Sequence, residues 1–392
     1  MRISTDEILD QFRIELPSWG FNNVGTRFGV FPQQGAPRSA LERIEDAGHV
    51  HRFTGGAPRV SLHIPWDRTE SAADLAKHAR DQGVVIGAIN SNTFQDGTYR
   101  LGSLAHHDPS VRRRATAHIA ECCDVARATQ ADALKVWLGD GTNYPGQDSF
   151  RLRKSRLADA LREVHSMVPE TARLLIEYKP YEPAFYHTDI QDWGMALLLA
   201  RHAGERAQVV VDVGHHYHGV NIEQIVAILL DEGRLGSFDL NDRKYGDDDL
   251  IAGAINPYQL FLIFNELVDG SSSNAPAHVK TCASQVLYMV DQAHNVEPRI
   301  PAMILTVMTL QENWMKANLV DREALQEAQT AGDILEANRC LKAAFDTDVR
   351  PMIVAWRESR GLPADPFSAY IASGIEAKRA ATRQDGVPVA WN

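Results

Sequence analysis

Short apolar runs closed by a polar or breaking residue recur along this chain. Leu174-Leu175-Ile176 leads into Glu177-Tyr178-Lys179-Pro180, and Val209-Val210-Val211 into Asp212. Phe238 is followed by Asp239, and Leu287-Tyr288-Met289-Val290 by Asp291. Runs of four to eight such residues read as buried strands. The Phe238 run spans 235–240, and similar runs at 24–31, 60–67, 84–89 and 133–138 bring the expected strands to eight. Helical periodicity falls between them, at 38–50, 70–82, 109–130, 151–167, 189–203, 221–232 and 257–268. A first helix is expected over 5–17, with Thr5 as its cap. Strands and helices alternating eight times predict an α/β fold of the (β/α)8, or TIM-barrel, class. Residues 1–296 are assigned to the barrel and a short N-terminal helical arm. Residues 297–392, rich in Ala, Glu and Arg without strand signal, form an expected α-helical C-terminal extension in oligomer contacts.

Composition changes this picture little. A barrel takes about 250 residues, and 392 leave room for arms. The balance of 40 basic to 51 acidic residues, net −11, argues against nucleic acid as a main partner. Cys122, Cys123, Cys282 and Cys340 show neither metal nor disulfide spacing. No signal peptide and no run of about 18 apolar residues is visible, so a cytoplasmic protein without a membrane partner is expected.

The chemistry lies at the strand ends. One strand-end acid usually caps a helix or solvates a loop. Four on consecutive strands, Glu177, Asp212, Asp239 and Asp291, would converge in a barrel and repel unless a cation joined them. Oxygen ligands favour Mg2+ or Mn2+. His215, three residues after Asp212, and the pair Asp247 and Asp249 lean toward a second ion, although Gly246-Asp247-Asp248-Asp249 alone reads as a solvated turn. His216 and His218 read as ordinary loop residues. Lys179 shares a strand face with Glu177. It either neutralises charge developing on a substrate oxygen or is a structural partner of Glu177. His63, near the end of the second strand and followed by Trp66 and Asp67, is either a core histidine or a general acid/base. Trp66 and Trp137 are candidate walls for a sugar ring or rim packing.

Several segments then carry a resemblance. Ser61-Leu62-His63-Ile64-Pro65-Trp66-Asp67, Trp137-Leu138-Gly139-Asp140-Gly141-Thr142-Asn143-Tyr144-Pro145-Gly146-Gln147, Asn241-Asp242-Arg243-Lys244-Tyr245-Gly246-Asp247-Asp248-Asp249 and Asp291-Gln292-Ala293-His294-Asn295 resemble, in order, bacterial L-rhamnose isomerases of the broad-specificity type. That family lies within the xylose isomerase-like barrels. The resemblance runs from about Gly25 to Asn295. It implies two divalent cations per subunit, Mn2+ first with Mg2+ or Co2+ as alternatives. One would sit on Glu177, Asp212, Asp239 and Asp291. The other would share Glu177 or Asp212 with His215, Asp247 and Asp249. It implies catalytic roles for Lys179 and His63, and a homotetramer or dimer in which Phe28 reaches a neighbour's site. Two positions depart: Asp239 stands where the family usually has histidine, and Ala293 where it has serine.

The expected function is a metal-dependent aldose–ketose isomerase of an unphosphorylated sugar, L-rhamnose first. Arg100 and Arg112-Arg113-Arg114 keep a phosphorylated substrate open. The alternatives are a sugar 3-epimerase on the same barrel, with one metal and paired glutamates, and a non-catalytic sugar-binding barrel.

Overall fold

The structure, a computed structural model, describes residues 4–26, 28–182 and 186–383. Eight parallel strands close into a barrel: β1 Ile14–Pro17, β2 Arg59–Ile64, β3 Val85–Ser91, β4 Ala133–Val136, β5 Arg173–Glu177, β6 Ala207–Asp212, β7 Leu235–Leu240 and β8 Leu287–Val290. Neighbours in sequence are neighbours in space. Closure comes where β8 pairs with β1, Tyr288 opposite Ile14. The helices after the strands begin on short polar side chains that accept an amide hydrogen bond. Ser39, Ser71, Asp108, Ser149, Asp192, Asn221 and Asn256 do this in turn. Such caps satisfy amides that the helix itself leaves unpaired.

The (β/α)8 expectation is met, with two corrections at the N-terminus. The first helix spans only Thr5–Gln11, and Ser4, not Thr5, is its cap, in a reciprocal pair with Glu7. The chain then turns into β1. That strand carries Glu15 inward, so its pattern lacks the apolar alternation by which a strand is read. The run at 24–31 is not a barrel strand. Gly25–Thr26 and Gly29–Val30 pair as a small antiparallel hairpin beside the barrel mouth. Arg27 of that run lies outside the described residues.

Helix Arg299–Ala317 packs between helices Ala40–Thr54 and Pro257–Gly270. Its Trp314 stacks on Phe12 at 4.7 Å and donates to the Ile8 carbonyl. It follows β8 and packs in the helix layer around the barrel. Five further helices run from Arg322 to Thr382. The last returns to helix Ala40–Thr54, where Arg379 and Arg383 pair with the buried Asp46. The nine residues 384–392 lie outside the described residues. The four cysteines are free, Cys122 and Cys123 buried in the core. No described helix is long and apolar enough to cross a membrane.

Candidate active site

The barrel interior is layered by the two-residue period of its strands. One layer is apolar: Ala88, Ala133, Leu175, Val210 and Met289. Two residues further along four of those strands come Lys135, Glu177, Asp212 and Asp291. Asp239 joins them from β7. All of these acids stand at the C-terminal ends of strands, the face at which barrels of this class carry their chemistry. Above them opens a cavity of about 640 Å³, lined among others by His63, Trp137, Glu177, Lys179, His215 and Asp291. That volume falls in the range of small-molecule sites.

Asp212, Asp239 and Asp291 form one group with the spacing a cation needs, and Glu177, Asp212 and His215 another. Asp212 accepts from the Gly214 amide at 2.7 Å and the Asn241 amide group at 3.0 Å, and its Oδ2 has no hydrogen-bond partner. Asp291 accepts from the Trp19 indole at 2.8 Å. Burial raises the Glu177 pKa to about 8 and that of Asp291 to about 7, each helped by neighbouring carboxylates.

The first group already contains a cation of the chain's own. The Lys135 ammonium bonds Asp239 and lies 3.1 Å from Glu177 Oε2. Sequence reasoning passed over this lysine, and the six acids face two lysines rather than one. Its signal was present: an inward-facing lysine in a strand otherwise apolar, two residues before Trp137.

His215 is oriented as a metal ligand needs. Its Nδ1 donates to the Tyr178 carbonyl at 2.9 Å, leaving Nε2 toward Asp247 Oδ1 at 3.0 Å and Asp212 Oδ2 at 3.7 Å. Such a second bond orients ligating histidines. Burial would depress the imidazole, but Asp212, Asp247 and Glu177 raise it to about 10. Asp247 is lowered to about 2: burial opposes this, while His215 and Lys179 outweigh it. Asp249 is pushed well up by burial and by Asp247, Asp291 and Asp212. Asp247 and Asp249 sit at φ 61° and 49°, left-handed backbone that aspartate tolerates better than most residues. Asp248 points elsewhere and accepts from the amides of Lys244, Tyr245 and Gly246. An imidazole oriented by the Tyr178 carbonyl, the unsatisfied Asp212 Oδ2 and the Asp247 and Asp249 carboxylates fit a divalent ion.

These shifts give the metal-free protein a definite pH response. Glu177 rises from 4.5 to about 8, Asp291 from 3.8 to about 7, and His215 from 6.5 to about 10. Between pH 6 and 8 these three groups bind more protons in the folded chain than in the unfolded one, and the stability they contribute falls as pH rises. An ion must displace those protons, so it binds more tightly at pH 8 than at pH 6. Mn2+ should raise the Tm of chelated protein more at pH 8 than at pH 6. Saturation at a hundredfold over Kd contributes about 2.7 kcal/mol. Identical melting curves with and without chelator would refute an ion at this site.

Lys179 does not pair with Glu177. It bonds Asp247 Oδ2 at 2.6 Å and Glu182 Oε2 at 2.8 Å, with its ammonium 5.1 Å from the Trp137 ring centroid. Those two acids hold it charged despite burial. His63 stacks on Trp66 at 3.8 Å and meets Trp19 and Phe94 edge-on. Burial lowers its pKa well below the ordinary value, and its Nδ1 has no hydrogen-bond partner. Asp67 bonds the His63 backbone amide, Ser18 and Arg43. Trp137 lines the cavity, whereas Trp66 lies behind His63. Phe28 is 83% exposed at the hairpin turn and is not brought to the acid cluster. His218 is exposed, but His216 is not an ordinary loop residue. It is buried against the Tyr178 hydroxyl at 2.7 Å, and burial lowers its pKa to about 3. A neutral His216 holds Tyr178, the residue between Glu177 and Lys179.

Residues 44–266 match the family model described as xylose isomerase-like TIM barrel. A probable sugar isomerase of Mesorhizobium japonicum is 44% identical over 384 residues, 96% of this chain and 87% of that protein. Another, of Rhizobium meliloti, is 42% identical over 381 residues, 95% and 86% respectively. Among solved structures, a D-psicose 3-epimerase of Clostridium cellulolyticum H10 aligns with a TM-score of 0.51, covering 84% of this chain and 99% of that one. At 12% identity that likeness is one of fold.

Proposed function

The chain belongs to the xylose isomerase-like TIM barrel family, and on that premise we propose that it is a metal-dependent aldose–ketose isomerase of a free sugar. L-rhamnose to L-rhamnulose is the first assignment, supported by the four segments that resemble L-rhamnose isomerases. The observation that carries the reading is the Glu177–Asp212–His215 cluster with Lys179 and Asp247 joined on the same cavity wall. The net reaction moves one hydrogen from C2 to C1 and one proton from the C2 hydroxyl to the C1 oxygen. C2 is oxidised as C1 is reduced, so no co-reactant is consumed.

A divalent ion on Glu177, Asp212, His215, Asp247 and Asp249 would polarise the carbonyl when bound, and the imidazole among oxygen donors favours Mn2+ over Mg2+. The chain's own residues do the rest. Lys179, held charged by Asp247 and Glu182, donates to the sugar oxygen on which negative charge develops. His63, kept neutral by burial, exchanges a proton at the ring oxygen as the sugar opens. Trp137 and Phe94, 4.7 Å apart, give an apolar wall against the C–H face of the sugar. In the homotetramer or dimer proposed, the exposed Phe28 is buried against a neighbouring subunit's mouth.

The test is a panel of aldoses and ketoses offered to chelated protein reloaded with Mn2+. Aldose–ketose interconversion, fastest on L-rhamnose, is expected. Conversion between ketoses alone would replace the reading by a 3-epimerase. Binding without turnover would replace it by a sugar-binding barrel.

A further inference from the structure

The first group of acids and its lysine do not match a two-ion centre. Lys135 reaches the acid layer from β4, its side chain 3% exposed, with Glu177 at 4% and Asp239 at 0%. Its ammonium bonds Asp239 Oδ2 and lies 3.1 Å from Glu177 Oε2. A divalent cation on the same oxygens would stand about 2.0–2.6 Å from them. It would then lie within a few ångströms of the ammonium, in an interior where like charges are weakly screened. The two cations compete for the same acceptors. Asp239 without Lys135 would moreover be a buried charge without its counter-ion.

We propose that the Lys135 ammonium takes the place of the first divalent ion, so that each subunit holds one divalent ion, in the His215 cluster. The proposal rests on the metal-dependent reading above. Asp212 Oδ2, which lacks a hydrogen-bond partner, lies 3.7 Å from His215 Nε2 and serves that one ion. Asp239 Oδ1 also lacks a hydrogen-bond partner. It is the oxygen that a second ion would take if the proposal is wrong.

Ion stoichiometry decides the matter independently of sugar turnover. Full-length protein is chelated, reloaded with excess Mn2+, desalted, and assayed by elemental analysis against protein concentration. A calorimetric Mn2+ titration gives a second count. One Mn2+ per subunit is expected, without the spin coupling of a Mn2+ pair in electron paramagnetic resonance. Two per subunit would overturn the proposal and leave the isomerase reading standing; none would overturn both. Lys135→Met removes the ammonium at similar length and frees Asp239. It should bind two Mn2+ per subunit, a gain from one to two. A variant that still binds one would show that the ammonium is not what excludes the second ion. Should Lys135→Met fail to fold, the wild-type count alone supports or overturns the proposal. Absence of sugar turnover, with one ion bound, would refute the isomerase reading and leave the ion count intact.

Discussion

Replacing Lys179 by methionine is expected to lower kcat on the sugar by roughly 10²–10³ while the bound ion remains. An oriented donor that meets charge only as it develops contributes to the transition state more than to the ground state. Its loss therefore appears mainly in kcat. The role proposed for the ammonium rests on its setting. It faces the cavity, Asp247 and Glu182 fix its position, and those acids also keep it charged. Its removal frees Asp247 Oδ2 and deletes a positive charge beside the ion, so Mn2+ affinity should hold or rise. His63→Asn should retain more activity. It is proposed to act on ring opening, and an open-chain sugar forms slowly without help. The measurement is a KM-against-kcat comparison of both variants at confirmed ion content, on L-rhamnose and on its ketose. Wild-type kcat in Lys179→Met would assign the lysine to structure alone.

What could be read from the sequence follows from what each residue faces. The barrel was legible because seven of its strands carry apolar runs whose ends are marked by charged residues or breakers. Asp212 and Asp291 stand at such ends, and a two-residue period carries the inward face from Val210 and Met289 to them. β1 was not legible. It is four residues long, and one inward residue is the charged Glu15, so it reads as the tail of the preceding helix. Lys135 was passed over for the opposite reason. A lysine in a strand looks like a solvated edge position, and only barrel closure places it opposite Asp239, 104 residues away. His216 was likewise read as an ordinary loop residue, because nothing local announces its bond to Tyr178 across 38 residues. The Asp247–Asp249 loop was legible as ligand-rich, yet its three acids divide by backbone conformation. Asp247 and Asp249 turn at positive φ, while Asp248 is spent on the amides of its own loop.

Glu15, the buried glutamate at the other end of the barrel, is expected to govern stability and leave the chemistry alone. Its carboxylate is 0% exposed. Oε1 accepts from the Ala88 amide at 2.7 Å and Oε2 from Arg59 Nε at 2.9 Å, tying β1 to β3 and β2. Arg59 in turn pairs with Asp132 at the start of β4. One carboxylate thus holds β1 to its neighbour β2 and, past that strand, to β3. The backbone is built around it: a Cβ at Gly87 would fall 1.9 Å from Glu15 Oε2. Breaking a buried pair by removing one partner costs about 3–5 kcal/mol, because the other charge is left uncompensated. Asp132 remains to Arg59, and its side chain is 49% exposed, so Glu15→Ala should fall near the lower end of that range. Gly87→Ala should destabilise as well, by forcing the same carboxylate aside. Both variants should show a lower denaturant midpoint, with kcat and Mn2+ content per folded subunit unchanged at 25 °C. Glu177 sits in the acid layer at the mouth, and its replacement should do the reverse, lowering ion content first. A Glu15→Ala protein as stable as the wild type would mean that β1 is held by its backbone ladder alone. A Glu15→Ala protein that folds fully but loses its ion would mean that the two ends of the barrel are coupled.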